Sequence, residues 1–179
     1  KTILVMNKHS QRTMLLALAM LIFALTAYAE SRKQVNTTTI TSLDLEKYMG
    51  RWYEIARLDI RFERGLTDVE ANYSLLPDGK IQIVNSGYRD GKYHETIGRG
   101  KITSQAGRLR VSFFMFFYAD YNILAMAEDG KWVLVGSSTP KYLWILSREK
   151  HLPADVINHI VELARERGYD TSALIFNAK

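Results

Sequence analysis

The chain has 179 residues, of which 47% are hydrophobic and 24% charged, and this composition indicates one folded domain and argues against disorder. Its formal charge of +5 falls to +2 without residues 1–29, so the remainder gives no reason to expect nucleic acid as a partner. The chain contains no cysteine, which excludes a disulfide framework, a thiolate metal site and a cysteine nucleophile.

Residues 1–29 have the order of a secretory signal peptide. A basic start with Lys8 and Arg12 precedes an uncharged apolar run over 14–29, which ends in a small-x-small triplet. The run of 16 residues is short for a bilayer span of about 20. We expect the signal to be cleaved after Ala29 and the rest of the chain to be exported. The alternative is an uncleaved anchor that tethers an interaction module to a membrane.

Residues 30–42 are polar and rich in threonine, which predicts an extended lead-in. From Gly50 onward, short runs of β-branched and aromatic residues alternate with turn signals. The predicted strands are 51–59, 69–76, 80–88, 92–103, 108–114, 121–128, 131–136 and 142–148. Most connections are short, so consecutive strands should pair antiparallel. The loop over 60–68 is longer, and long loops are often functional.

One helix is predicted after the strands. Pro153 suits its first position and Gly168 its C-terminal cap. Apolar residues recur at helical spacing between them and form one face that must be buried, most simply against the outside of the sheet. The strands over 121–126 and 142–148 are apolar on both faces, so they are the candidates for contact with the helix. Residues 173–176 are apolar enough for a short last strand.

The predicted fold is all-β, an eight-stranded antiparallel up-and-down β-barrel with one C-terminal α-helix packed outside. Closure into a barrel removes the exposed sheet edges. A barrel of eight strands can leave room for one small ligand. The expected organisation is a leader over 1–29, an extended segment over 30–42 and the barrel domain over 43–179.

Alternation along the strands separates inward-facing from outward-facing residues. The inward set is wide and aromatic, with several small members and the polar Glu54. The residues predicted to bind a ligand are Glu54, Ala56, Ala71, Tyr73, Ile83, Asn85, Gly98, Leu109, Val111, Phe113, Leu124, Met126, Tyr142 and Trp144. Such a set suits a filled core as well as a cavity. The alanines and glycine favour a cavity because they leave volume unfilled.

The stretch Gly50-Arg51-Trp52-Tyr53 resembles the GxW signature that opens the first strand of lipocalins. Further segments resemble lipocalin sequence in the family's order, namely 61–66, 72–75, 111–114, 118–123 and 142–148. The resemblance runs from about residue 43 to 176. It is closest to the bacterial outer-membrane lipocalin subgroup, which is similar to apolipoprotein D and to plant temperature-induced lipocalins.

The resemblance implies a structural motif at the closed end of the barrel. Trp52 would pack across this end with Arg148 laid over its ring, and Gly50 and Tyr121 belong to the same motif. A guanidinium on an indole face contributes about 1–2 kcal/mol when it is partly desolvated. The family's Thr-Asp-x-x-Tyr element is degenerate at residues 117–121, where the final tyrosine is kept and the aspartate is displaced.

The resemblance also implies non-catalytic binding, storage or transport of a fatty acid, lysophospholipid or similar amphiphile in the cell envelope, in the service of membrane maintenance under stress. No cofactor is expected, and the scattered histidines predict no metal. A membrane surface and a second copy of the chain stay open as partners. The subgroup carries a lipidated cysteine that is absent here, so a soluble periplasmic or secreted form is expected, with outer-membrane association as the alternative.

Two further expectations concern charged residues. The head group of the ligand should lie at the open end, where Arg61 and Arg64 would meet an anion.

The alternative function is a lipid- or prenoid-modifying enzyme on the same barrel, for which Glu54 is the candidate acid or base. Glu63 is interpreted as a surface charge of the loop, and Glu54, if buried, needs an arginine or tyrosine partner.

Overall fold

The structure is a computed structural model that describes residues 34–114 and 117–177. The predicted leader and its cleavage after Ala29 lie outside the described residues. Within these two ranges, no helix is long and apolar enough to cross a bilayer. The extended stretch before the barrel is held by backbone hydrogen bonds, from Asn36 N to Arg167 O at 2.9 Å and from Ile40 N to Ile123 O at 3.0 Å.

The described residues form nine strands, two α-helices and one 3₁₀ turn. A short helix that the sequence pattern did not predict, α1, comes before the first strand. The elements in chain order are α1 Leu45–Tyr48, β1 Gly50–Leu58, β2 Thr67–Leu75, β3 Ile81–Arg89, β4 Lys92–Ile102, β5 Arg108–Ser112, β6 Ala119–Met126, β7 Trp132–Gly136, β8 Leu143–Ser147, α2 Ala154–Glu166, the turn Thr171–Ala173 and β9 Leu174–Phe176.

Strands β1 to β8 close into an antiparallel barrel, which confirms the predicted fold. Each strand pairs with the next, and β1 closes the barrel by pairing with both β2 and β8. Strand β1 pairs with β2 only as far as Tyr53. Further along, β9 pairs with β1 from Ala56 to Leu58. The tail of the chain therefore satisfies backbone groups of β1 that the divergence of β2 leaves open.

The strand connections alternate between the two ends of the barrel. Short turns such as Asp90-Gly91, where φ is 52° and 72°, set the hairpin geometry between β3 and β4. Because the strands run antiparallel, the loops after β1, β3, β5 and β7 share one end. The loops after β2, β4 and β6 share the other end with α1.

Two β-bulges interrupt the alternation on which the inward set was based. One lies between Glu54 and Ala56 in β1, and the other lies between Ile123 and Ala125 in β6. A bulge adds one residue to a strand and moves the following side chains to the opposite face. Ala56 consequently packs in the layer beneath α2, and the bulge in β6 leaves Leu124 in that layer while Met126 returns to the inner layer. The prediction that Ala56 and Leu124 face the interior is wrong.

The hydrophobic core has two layers. The inner layer fills one end of the barrel and contains the buried Trp52, and the outer layer lies between the barrel and α2. Ile160 and Ala164 of α2 are fully buried against the outward face of β8, which confirms that both faces of this strand are covered. Pro153 caps α2 rather than starting it, and Gly168 follows its end with φ of 91°.

Candidate ligand-binding site

The closed end of the barrel is sealed by Trp52, which is 1% exposed. Its indole Nε1 donates a hydrogen bond to Tyr48 O at 2.9 Å. The guanidinium carbon of Arg148 lies 3.7 Å from the centroid of the Trp52 ring, as the resemblance implied. Arg148 also donates to four backbone carbonyls around α1, those of Lys47, Tyr48, Met49 and Arg51. This arginine therefore fastens α1 across the end of the barrel.

Three buried tyrosines form the next layer. The Tyr48 and Tyr121 hydroxyls are 2.6 Å apart, and the Tyr73 and Tyr121 hydroxyls are 3.0 Å apart. Burial raises the pKa of Tyr73 to about 12 and holds the pKa values of Tyr48 and Tyr121 well above the ordinary value, so all three stay neutral. Tyr73 and Tyr121 also line the cavity, so its floor is neutral and its hydroxyls are already paired.

Above this layer the barrel holds a cavity of about 540 Å³. That volume is within the range of about 300–1,000 Å³ that is typical of small-ligand sites. The walls come mainly from apolar and aromatic side chains of the strands and of the loops after β1, β5 and β7. The cavity therefore opens at the end opposite Trp52.

Nine of the predicted ligand-binding residues line this cavity, and the structural-motif residue Tyr121 does so too. The nine are Glu54, Ala71, Tyr73, Ile83, Asn85, Val111, Phe113, Tyr142 and Trp144. The other five do not. Ala56 and Leu124 lie beneath α2, while Leu109 and Met126 belong to the inner layer near the closed end. Gly98 lies behind Phe113, because a Cβ there would come within 2.6 Å of the ring.

Several lining residues were missed by the sequence reasoning. Eight of them lie in the loops at the mouth, where alternation has no meaning, and the other seven lie in strands. They are Phe62, Glu63, Val69, Glu70, Arg110, Phe114, Phe117, Tyr118, Ala119, Asp120, Val135, Ser137, Ser138, Thr139 and Leu146. One signal was available, because residues 113–118 are an aromatic run at a strand connection, where polar residues are usual.

A buried ionic cluster forms one side of the cavity. Arg57 Nη1 lies 3.2 Å from Glu54 Oε1, and Arg57 Nε lies 3.4 Å from Glu63 Oε2. Trp144 Nε1 donates to Glu63 Oε2 at 3.1 Å, and the Asn177 amide donates to Glu54 Oε1. Glu63 is only 6% exposed, so its interpretation as a surface charge is wrong. Its loop folds back over the end of β1, where Arg57 Nη2 also donates to Glu63 O at 2.8 Å.

The two carboxyl groups of this cluster share one guanidinium. Burial, together with the charge of Glu63, raises the pKa of Glu54 to about 8. Burial also raises the pKa of Glu63, although the hydrogen bond from Trp144 opposes this shift. Near neutral pH the pair therefore keeps one proton, and the cluster with Arg57 is close to neutral.

The charges at the mouth differ from the expectation. Neither Arg61 nor Arg64 lines the cavity, and Arg64 pairs with Asp59 at 2.8 Å. The cation in the lining is Arg110, which lies 3.4 Å from Asp120 and donates to Tyr118 O at 2.7 Å. The displaced aspartate of the degenerate element thus positions this arginine.

Comparison with known proteins identifies the architecture. A family profile described as a lipocalin-like domain matches residues 43–179. The chain belongs to the lipocalin family. Lipocalins bind small hydrophobic ligands.

Relatives of this lipocalin include the outer membrane lipoprotein Blc of Escherichia coli (strain K12). It is 37% identical over 166 residues, which are 90% of this chain and 94% of the relative. Temperature-induced lipocalin-1 of Arabidopsis thaliana is 35% identical over 146 residues, which are 75% of this chain and 78% of the relative. Insecticyanin from the tobacco hornworm Manduca sexta shares the fold, with a TM-score of 0.65, 21% identity and coverage of 79% of this chain and 83% of that one.

Proposed function

We propose that this lipocalin binds one single-chain amphiphile, a fatty acid or a lysophospholipid, and stores or transports it without chemical change. The observation that carries the proposal is the cavity of about 540 Å³, closed at one end by Trp52 and open at the other. Apolar walls favour an acyl chain through the hydrophobic effect. A site with one open end suits a molecule with one polar end.

The polar groups of the cavity favour an orientation with the head group at the mouth. The floor offers hydroxyls that already bond to one another, so a head group placed there would gain no partner. The side wall carries Glu54 and Glu63, whose cluster with Arg57 is close to neutral, and the guanidinium is already paired with both carboxyl groups, so an anion placed there would gain no free cation. Arg110 is the lining cation and lies in the strand that leads to the mouth, so it is our candidate partner for a carboxylate or phosphate.

The proposed setting is the cell envelope, in membrane maintenance under stress. Two observations support the setting. The sequence of residues 1–29 predicts export, and a relative at 37% identity is named an outer membrane lipoprotein. A periplasmic or secreted form is our proposal for this chain.

Intrinsic fluorescence tests the proposal because only one of the three tryptophans lines the cavity. Trp144 lies in the wall, Trp52 belongs to the closed end and Trp132 packs on the outer layer near α2. Titration with a lysophospholipid below its micelle concentration should change the emission and saturate at one ligand per chain. The absence of a response to any single-chain lipid would contradict the proposal.

Two tryptophan variants show which side chain produces the change in emission. Trp144→Phe should abolish most of the emission change, while calorimetric titration of the same variant still detects binding. Trp132→Phe should keep the full emission change. If both variants respond like the wild type, the ligand occupies a place other than this cavity.

One observation favours a second candidate function, a lipid- or prenoid-modifying enzyme. Glu54 lines the cavity, and a carboxyl group whose pKa is about 8 can serve as an acid near neutral pH. Incubation with lysophospholipid or prenyl substrates, followed by mass spectrometry of the products, tests this candidate. Turnover that is lost in Glu54→Gln supports it, and turnover that survives the substitution removes Glu54 from the role.

A further inference from the structure

The open end of the barrel carries three phenylalanines that water reaches. Phe62 in the loop after β1 is 59% exposed, and Phe114 and Phe117 in the loop after β5 are 67% and 76% exposed. The Phe114 and Phe117 rings stack with centroids 6.3 Å apart. All three also line the cavity, so its apolar surface continues outward onto the rim.

Exposed apolar side chains are concentrated at this end. Among the described residues, eleven large hydrophobic side chains are exposed, and six of them lie at the open end. The six are Phe62, Tyr88, Tyr93, Phe113, Phe114 and Phe117. Single exposed apolar residues are ordinary, but a cluster of them marks an interaction surface. A phenylalanine has no polar atom, so solvent gives it no compensating hydrogen bond.

The same end is basic. Six basic side chains occupy the described parts of the loops at this end and the strand ends beside them, namely Arg61, Arg64, Arg89, Lys92, Arg110 and Lys141. The acidic side chains there, apart from the buried Glu63 that pairs with Arg57, are Asp59, Asp68, Asp90 and Asp120, and two of them are paired with Arg64 and Arg110. The excess of positive charge surrounds the phenylalanines, and this arrangement is complementary to an anionic lipid surface.

We propose that the rim formed by Phe62, Phe114 and Phe117 is a membrane-docking surface that seats the cavity mouth on an anionic phospholipid bilayer. The phenyl rings enter the boundary between head groups and acyl chains, while Lys92 and Lys141 meet lipid phosphates. A docked mouth lets an acyl chain pass between bilayer and cavity without crossing water. The proposal goes beyond binding of the ligand, because it concerns the surface from which the ligand is taken or to which it is delivered.

A bilayer fits this rim better than a second copy of the chain. A two-fold contact through the rim would oppose two basic surfaces and close two cavities against each other. A bilayer surface supplies negative charge around an apolar interior, which matches the arrangement of basic and aromatic residues at the mouth.

Co-sedimentation with vesicles of phosphatidylglycerol and phosphatidylcholine tests the proposal on the full exported chain. The double variant Phe114→Ser/Phe117→Ser should lower the vesicle partition coefficient on the order of tenfold or more. The matched control is Leu75→Ser/Ile102→Ser, which removes two side chains of 42% and 48% exposure at the closed end and should bind like the wild type. Circular dichroism verifies that each variant is folded.

Charge is tested separately with Lys92→Gln/Lys141→Gln, because neither lysine lines the cavity. This variant should bind anionic vesicles several-fold more weakly and titrate with monomeric lysophospholipid like the wild type. Wild-type binding to anionic vesicles should also weaken as salt is raised.

Three outcomes overturn the docking surface. They are no vesicle binding by the wild type, equal binding by Phe114→Ser/Phe117→Ser and the wild type, and self-association through the rim without vesicle binding. Vesicle binding that depends on the rim, in a protein that fails the lysophospholipid titration, supports the docking surface and contradicts the proposed ligand. The two proposals therefore fail separately.

Discussion

The two ends of the barrel use aromatic side chains in opposite ways. At the closed end, Tyr48, Trp52, Tyr73 and Tyr121 are all less than 10% exposed, and each polar atom of their side chains has a hydrogen-bond partner. At the open end the three rings of the rim, Phe62, Phe114 and Phe117, belong to phenylalanines, and Phe117 is 76% exposed. Tyrosine and tryptophan bring hydrogen bonds that fix one packing arrangement. Phenylalanine brings apolar surface without such a constraint. Aromatic content alone therefore does not separate a core from a binding surface.

The largest expected effect is at the closed end, for Trp52→Ala. Truncating a fully buried tryptophan costs about 3–5 kcal/mol of unfolding free energy, which lowers the melting temperature of a domain of this size by about 10 °C or more. Thermal unfolding followed by circular dichroism measures the change. Trp132→Ala, at a half-buried tryptophan on the outer layer, is the control and should cost less. Equal losses in the two variants would show that the closed end is not specially stabilised.

Arg148→Ala should give the next largest effect. It removes the cation above Trp52 and donors to four carbonyls around α1. Cation–π contacts and charge-assisted hydrogen bonds together predict a loss of about 1–3 kcal/mol. Arg148→Lys is the conservative variant, which keeps the charge and should recover only part of the loss, because an ammonium lacks the planar fork of donors. An unchanged melting temperature in Arg148→Ala would contradict this role.

Stability should also depend on pH through the cluster beside the cavity. The folded chain keeps the Glu54 proton up to a pKa of about 8, whereas the ordinary pKa of this carboxyl group, as in the unfolded chain, is 4.5. The stabilisation that this retained proton gives to the folded state is fully present below pH 4.5 and is lost as the pH rises through 8. The free energy of unfolding should fall by at most about 1.4 kcal/mol per pH unit in this range. Glu54→Gln should flatten the decline in urea unfolding between pH 5 and 9. A decline of the same steepness in the variant would place its origin elsewhere.

The smallest stability effect is expected at the mouth. Phe114→Ala should change the unfolding free energy by less than about 0.5 kcal/mol, because the ring is 67% exposed in the folded chain. Chemical denaturation measures this value. A loss comparable to that of Trp52→Ala would mean that the two ends do not differ in the way described above.

The sequence predicted the barrel because alternation, turn spacing and the order of the family's segments all agree. The strands and the outer helix could be predicted because the spacing of their apolar residues is a local pattern, which the packing of the folded chain does not override. The two bulges carry no such local signal. The bulge after Glu54 made the side assigned to Ala56 wrong, and the bulge after Ile123 puts Leu124 and Met126 on opposite faces, although regular alternation had placed both inside. Nine of the candidate lining residues were still placed correctly in the cavity wall, since they lie in regular strands.

Residues in loops were harder to place from the sequence than residues in strands. Glu63 looks like a surface charge in sequence, and its burial depends on Arg57 and Trp144, which come from two different strands. Only the folded chain brings these residues together. The aromatic run that contains Phe114 and Phe117 was visible, but its position at the mouth, rather than inside a strand, required the register of β5 and β6.

The central claim is that the barrel holds one single-chain lipid, and native mass spectrometry tests it most directly. Protein saturated with a monomeric lysophospholipid should retain one lipid per chain. Ala71→Trp, which fills the cavity, should retain none, whereas Ile97→Trp, at a position that is 59% exposed, should retain one. A wild-type protein that stays free of lipid, or an Ala71→Trp variant that binds as the wild type does, would contradict the claim.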